Sequence, residues 1–282
     1  MARIIKFMKK KISLYLVATP IGNLNDMTFR SIETLKNVDF IAAEDTRNSG
    51  ILLKHFDIKK PMISYFEHNR TERGEQIVQR LKNGETCALI TDAGTPAISD
   101  PGEELVAQCL EQGLNVSSIP GACALISGLS MSGISTKRFC FEGFLSTAKN
   151  SRKAHLSGLA DEQKTLIFYE APHKLRQTLE DLFSFFGNRR ISLIREISKI
   201  YEETFLTTIG QAIEFYKEND PKGEFVLVIE GAKQKTEIQP NDDDLEKFFQ
   251  TQIKNGLNKT QAAKNTAQKF GMNKREIYDK FK

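Results

Sequence analysis

The chain has 282 residues, 40% hydrophobic and 27% charged, with a net charge of +4, which is the composition of a soluble globular protein long enough for two ordinary domains. Four widely spaced cysteines (Cys87, Cys109, Cys123 and Cys140) form no CxxC pair, so a zinc knuckle or redox motif is disfavoured and reduced thiols in a cytosolic protein are expected. The charge is uneven: residues 247–282 hold nine basic groups against two acids, residues 1–11 hold five and no acid, and the remainder carries −8. An acidic body with basic ends fits either a polyanionic partner gripped at its edges or a solvated tail.

The start imitates a secretory signal, with lysines before Ile12–Ala18, but its apolar part has only about seven residues and runs into Thr19-Pro20-Ile21-Gly22, a turn signal. A first strand behind a short basic leader is the better reading. No apolar run approaches the roughly 20 residues of a membrane span. Strands are then predicted at 13–18, 39–43, 61–64, 86–91 and 115–119, alternating with helical faces at Phe29/Ile32/Leu35, Ile77/Val78/Leu81 and Leu105/Val106/Cys109/Leu110. Repeated β-α units with nearly continuous apolar strands indicate a parallel sheet covered on both faces. Past a boundary near 120–138, strands at 139–144, 165–169, 191–195, 204–208 and 224–229 follow one another more closely, so a mixed sheet is expected there. A helix from Pro172 places Leu175, Leu179, Leu182 and Phe186 on one face and stops at Gly187. The fold class is therefore α/β with two domains, 12–120 and 121–232, then a linker at 233–245 and a small basic helical domain at 246–282. In the last, Asn258–Gln261 and Asn273–Glu276 resemble capping boxes separated by Gly271.

Four loops cluster chemistry at strand ends. Thr19–Leu24 is neither GxGxxG nor a P-loop, although it occupies a ligand position. Glu44-Asp45-Thr46-Arg47 reads either as an ion pair with a helix cap or as a group for substrate positioning and proton transfer. Thr91–Gly102 packs two glycines, two prolines and two aspartates between a strand and a helix. Pro120–Ala124 opens a helix with small residues that could lie against a flat ligand or simply pack closely. Phe168–Lys174 and Arg195–Lys199 end later strands. The four histidines show no metal-ligand spacing, so no metal is expected.

Seven ordered strings, VATPIGNL, IAAEDTR, DAGTPAISDPG, PGACA, FYEAPHKL, REISK and GEFVLVIEG, spread over residues 12–232, resemble the tetrapyrrole methylase superfamily, the class III S-adenosylmethionine-dependent methyltransferases. The resemblance implies two α/β domains with S-adenosylmethionine folded up between them, a homodimer, and a cytoplasmic enzyme. It places Pro20, Ala93, Gly94, Thr95, Ile98, Cys123, Ala124, Tyr169 and Glu170 at the cofactor. Thr95 stands where porphyrin-type members carry aspartate. That departure points to the RNA-modifying branch, which methylates the ribose 2′-hydroxyl of a cytidine in the decoding region of small-subunit ribosomal RNA, alone or in the assembled subunit. The aspartate that those members carry near the end of strand two falls on Glu44 or Asp45. With His68 these are the expected proton acceptors. Arg47, Arg70, Arg73, Arg195 and Lys199 could hold phosphates or form surface salt bridges, and Tyr65-Phe66 could stack on an extruded base. The alternatives are a methylase of tetrapyrroles or of a protein residue, which needs no basic tail, and an RNA-binding scaffold without catalysis.

Overall fold

The computed structural model describes residues 11–233 and 241–281. The basic leader at 1–10 and most of the expected linker lie outside them. The chain divides into two compact units, residues 1–232 and 233–282.

In the larger unit, strands β1 (Leu14–Val17), β2 (Phe40–Ala43), β3 (Met62–Ser64), β4 (Cys87–Ile90) and β5 (Val116–Ile119) make an all-parallel sheet in the order β3-β2-β4-β1-β5. Both faces are covered. Leu14, Phe40, Ala42 and Leu89 point to one apolar cluster with Ile77 and Leu105, and Val17, Ile41, Ala43 and Ile90 point to another with Leu35 and Leu53. Helices α1 (Phe29–Asn37), α2 (Thr46–His55), α3 (Arg70–Lys82) and α4 (Glu103–Glu111) supply those covers. The α2 helix was hidden in the sequence by its polar run; Asp45 starts it by accepting the Arg47 amide at 2.8 Å.

Helix α5 (Ala124–Met131) leads to the second sheet. Strands β6 (Phe139–Phe144), β7 (Thr165–Glu170), β8 (Arg190–Arg195), β9 (Glu203–Thr208) and β10 (Phe225–Ile229) run in the order β6-β7-β10-β8-β9, with β6 and β7 parallel and the other pairs antiparallel. Helices α6 (Lys149–Gly158), α7 (Pro172–Phe186) and α8 (Ile209–Glu218) belong to this half. One face of the sheet joins a cluster of Leu156, Leu175, Leu179, Leu182 and Ile209, and the other joins Leu125 and Leu129 of α5. Gly128 permits that second contact: a Cβ there would sit 2.8 Å from Val226 Cγ1.

The smaller unit has its own core of Leu245, Phe249, Ala262, Ala263, Ala267 and Ile277. Its helices are α9 (Asp242–Lys254), α10 (Lys259–Phe270) and α11 (Lys274–Lys280). The first begins four residues ahead of the expected domain start, because Asn241 caps it and Asp242, Asp243 and Asp244 complement its dipole. Asn258 accepts the Gln261 amide and Asn273 the Arg275 amide, while Gly271 takes the left-handed conformation between α10 and α11.

Candidate active site

The path of the chain across the first sheet reverses between β1 and β4. Ligands bind at the carboxyl ends of strands flanking such a reversal. Here the two ends are locked together: Thr19 N–H donates to Gly94 O at 2.9 Å, Gly94 N–H donates back to Thr19 O at 3.1 Å, and the Thr19 hydroxyl donates to Thr91 O at 3.0 Å. Gly94 has φ +82°, and a Cβ there would meet Ile21 Cγ2 at 3.4 Å. Beyond it, Ala97 (φ +67°) and Ser99 (φ +62°) take left-handed conformations that side chains ordinarily avoid. Each such residue costs about 1–3 kcal/mol, and such strain gathers at ligand clamps. The Thr95 hydroxyl donates to Ala122 O at 3.0 Å, tying this turn to the one before α5.

A cavity of about 320 Å³ opens between this turn and the second sheet. Ala93, Gly94, Thr95, Ile98, Cys123, Ala124, Tyr169 and Glu170 all line it, so eight of the nine residues expected at the cofactor are together. Pro20 is not among the lining residues; its neighbour Ile21 is. Phe144 also lines the cavity without any sequence signal, and Ser99, Asp100 and the wall formed by Glu196, Glu224 and Val226, which lie in segments the sequence singles out, line it although the sequence assigns none of them to the cofactor. The tight turns at Glu196 (φ +53°) and Ser198 (φ +69°) that shape this wall carry no glycine to announce them.

Tyr169 does a helix cap's work across the cavity. Cys123 offers α5 no side-chain cap, and the Tyr169 hydroxyl instead accepts the Leu125 N–H at 2.9 Å. Burial pushes the phenol pKa well up, keeping the group neutral. Tyr169→Phe strands that amide, so thermal or denaturant unfolding should show a loss of about 1–3 kcal/mol; unchanged stability would remove Tyr169 as the cap. Glu170 lines the same wall but is 3% exposed, and both its oxygens are taken, by the Ala171 N–H at 2.9 Å and by the Thr178 hydroxyl. Arg152 Nη2 holds Thr178 in turn at 2.8 Å. Glu170 thus shapes the β7–α7 turn.

A second cleft of about 350 Å³ adjoins the first, lined by Glu44, Tyr65, Arg70, Asp100 and Glu104 among others. Ser99 and Asp100 line both clefts. Burial, reinforced by the charges of Glu44 and Asp92, pushes Asp100 up to about 7. Glu44 is also raised, chiefly by burial, although the Asp92 N–H donates to it at 3.3 Å. Its neighbour Asp45 is different: fork hydrogen bonds from Arg47 at 2.7 and 3.1 Å hold it at about 2. A proton acceptor works best with a pKa near the operating pH, so Glu44 suits that role better than Asp45.

The remaining expected residues scatter. His68 is exposed beside the Phe66 ring. Arg70 pairs with Glu104 at 3.0 Å, and Arg73 donates to Gln76 at 2.7 Å. Arg195 pairs with Glu203 at 2.9 Å. Lys199 stands in the first cleft, 2.8 Å from Glu196 and 3.1 Å from Glu224, with its stem over Gly22. Tyr65 is 1% exposed, packed in the apolar cluster of Phe40, Leu89 and Leu105, while its N–H donates to Ala43 O at 2.8 Å; it offers no stacking face, whereas Phe66 is exposed.

Residues 13–213 match the family model described as Tetrapyrrole (Corrin/Porphyrin) Methylases, and the chain belongs to that family. Among its relatives, the ribosomal RNA small subunit methyltransferase I of Synechocystis is 48% identical over 94% of this chain and 95% of that protein. The protein of the same name from Bacillus subtilis is 43% identical over 95% of this chain and 93% of its own length. Solved structures share the fold at much lower identity. Uroporphyrin-III-C-methyltransferase from Thermus thermophilus gives a TM-score of 0.56 at 16% identity, covering 78% of this chain and 94% of its own. Diphthine synthase gives 0.60 at 14%, covering 79% and 91%.

Proposed function

We propose that this protein uses S-adenosylmethionine to methylate small-subunit ribosomal RNA, at the ribose 2′-hydroxyl of a cytidine in the decoding region. The observation that carries the reading is the strained turn pinned by Thr19 and Gly94 at the mouth of a cleft, in a chain whose full-length relatives bear a ribosomal RNA methyltransferase name. The lining suits the donor. Gly94 keeps side-chain bulk out of the turn, the turns on either side offer backbone groups, and the two carboxylates Glu196 and Glu224 against the one cation Lys199 leave a wall favourable to a positive charge. When bound, the donor supplies a methyl group on a positively charged sulfonium. The 2′-oxygen forms the new C–O bond as the C–S bond breaks, the neutral thioether leaves, and the hydroxyl proton must pass to a base. Glu44, raised in pKa in the adjoining cleft, takes that proton. Alignment of oxygen and methyl group supplies most of the acceleration.

Arg70 borders the same cleft as Glu44 and is the foremost of the expected phosphate holders. A homodimer is also part of the reading. Phe29 and Ile200 are each 94% exposed, and the Ser198–Asp26 hydrogen bond brings their loops together, leaving an apolar face for a second copy. Among the described residues no helix is long and apolar enough to cross a membrane, and a ribosomal substrate implies action in the cytoplasm.

The reading is tested by incubating the protein with labelled donor and small subunits from cells lacking this modification. Label in the small-subunit RNA is expected; label in tetrapyrroles or protein alone would overturn it. The helical unit presents Lys254, Lys264, Lys269, Lys274 and Arg275 at its surface. If these meet phosphates, affinity for subunits should fall steeply with salt, and removing residues 241–282 should flatten that slope by about one per lost contact. An unchanged slope would leave the unit a solvated domain.

A further inference from the structure

Strand β6 contains an irregularity with a chemical consequence. Its register against β7 runs Phe141 to Ile167, then Gly143 to Phe168 and Phe144 to Tyr169, so one extra residue is inserted between Phe141 and Gly143. Such bulges re-aim side chains beside active sites. In a regular strand Phe141 and Phe144, three apart, would point to opposite faces. The bulge, made with Gly143 at φ +63°, puts them on one face. Both rings flank Tyr169 there, with centroids 4.8 and 5.5 Å away. Phe141 is packed among the residues under α5. Phe144 is not: it lines the first cleft and keeps 55% of its surface open to water. The bulge also lies at the junction of the two clefts, since a Cβ on Gly143 would stand 3.5 Å from Ser99 Oγ. A flat apolar face is thus held in the open where the methyl donor's cleft meets the cleft of Glu44; of the two aromatics that the sequence offered for stacking, Tyr65 is buried, and Phe66 is exposed but is not among the residues lining either cleft.

We propose that Phe144 is the platform on which the base of the target nucleotide stacks when its ribose enters the cleft. The inference rests on the RNA methylation reading above and names the residue that holds the base. Enzymes that modify a nucleotide take it out of its helix and hold it against aromatic side chains, and the stack tolerates any base because every base has a π-face. A ring already fixed by its edge contact with Tyr169 loses little freedom when a base lies on it.

The experiment compares wild type, Phe144→Ala, Phe144→Leu and Phe144→Tyr on unmodified small subunits, with calorimetric titration of S-adenosylhomocysteine alongside. Failure of wild type to methylate the subunits would strike the functional reading, so the variants are judged only against wild-type turnover. Phe144→Ala and Phe144→Leu are expected to raise KM for subunits by about 10- to 100-fold, the range of one lost base stack, with kcat nearly kept and S-adenosylhomocysteine affinity within about twofold of wild type. Phe144→Tyr is expected to restore KM. Two results would overturn the proposal. A leucine variant as good as wild type would show that bulk alone matters. A loss of S-adenosylhomocysteine affinity matching the rise in KM would show that the ring holds the donor's adenine.

Discussion

Gly94→Val is expected to abolish measurable binding of S-adenosylhomocysteine, weakening it at least about 100-fold, or roughly 3 kcal/mol. Three effects add. A β-branched residue at φ +82° is a genuine steric outlier. Its branched methyls would reach further than a Cβ already 3.4 Å from Ile21 Cγ2 and 3.9 Å from Ala122 O, and would push aside two walls of the cleft. Relief of either clash breaks the paired hydrogen bonds between Thr19 and Gly94 that set the width of the crevice. The residue sits outside the apolar clusters, so the variant should remain folded by circular dichroism. Wild-type affinity in the titration would show that the donor does not lie on this turn.

Asp100→Asn should change how stability depends on pH. The carboxyl is pushed up from an ordinary value near 4 to about 7, by burial first and by Glu44 and Asp92 next. The native state therefore keeps a proton between about pH 4 and 7 that the unfolded chain has released. Stability contributed by the protonated form is present in full below about pH 4 and is lost as pH rises towards 7. The full shift is worth about 4 kcal/mol, and partial solvation of the group lowers this to about 2 kcal/mol. Denaturant unfolding of wild type against the variant should show wild type losing that amount between pH 4 and 8 while the asparagine protein does not. Parallel curves would mean that Asp100 is ionised throughout. Glu44 and Asp92 face the same carboxyl and are present in both proteins, and the neutral Tyr169 hydroxyl brings no charge to either.

The strands were legible because a parallel sheet buried on both faces demands unbroken apolar runs; Phe40–Ala43 and Cys87–Ile90 are buried at every position. The loops that line the clefts were legible because backbone that must turn sharply or pack closely is written in glycine and proline, as at Gly94 and Gly102. Other features leave no such trace. Ala97, Ser99, Glu196 and Ser198 adopt left-handed conformations without being glycine, held there by their surroundings. The aim of Phe144 depends on one inserted residue, and a period-of-two reading puts that ring on the wrong face. Tyr65 looked like loop and is core: it follows the polar Ser64 that closes β3, pairs with Ala43 through its N–H, and packs its ring with Phe40 and Leu89. The polar helix α6 went unread, yet its Arg152 holds Thr178 and Glu170 in place behind the cleft wall. Paired carboxylates were visible as Glu44-Asp45, but only the structure separates their parts, one capping α2 and the other half-buried beside Asp92.

The central claim is tested most directly by nucleoside mass spectrometry of small-subunit RNA from unmodified subunits incubated with this protein and S-adenosylmethionine. The expected result is one 2′-O-methylcytidine per subunit, within the fragment that covers the decoding region, and none when Gly94→Val replaces wild type. Methylation on a base, on another nucleotide, or nowhere in the RNA under conditions where S-adenosylhomocysteine binds would contradict it.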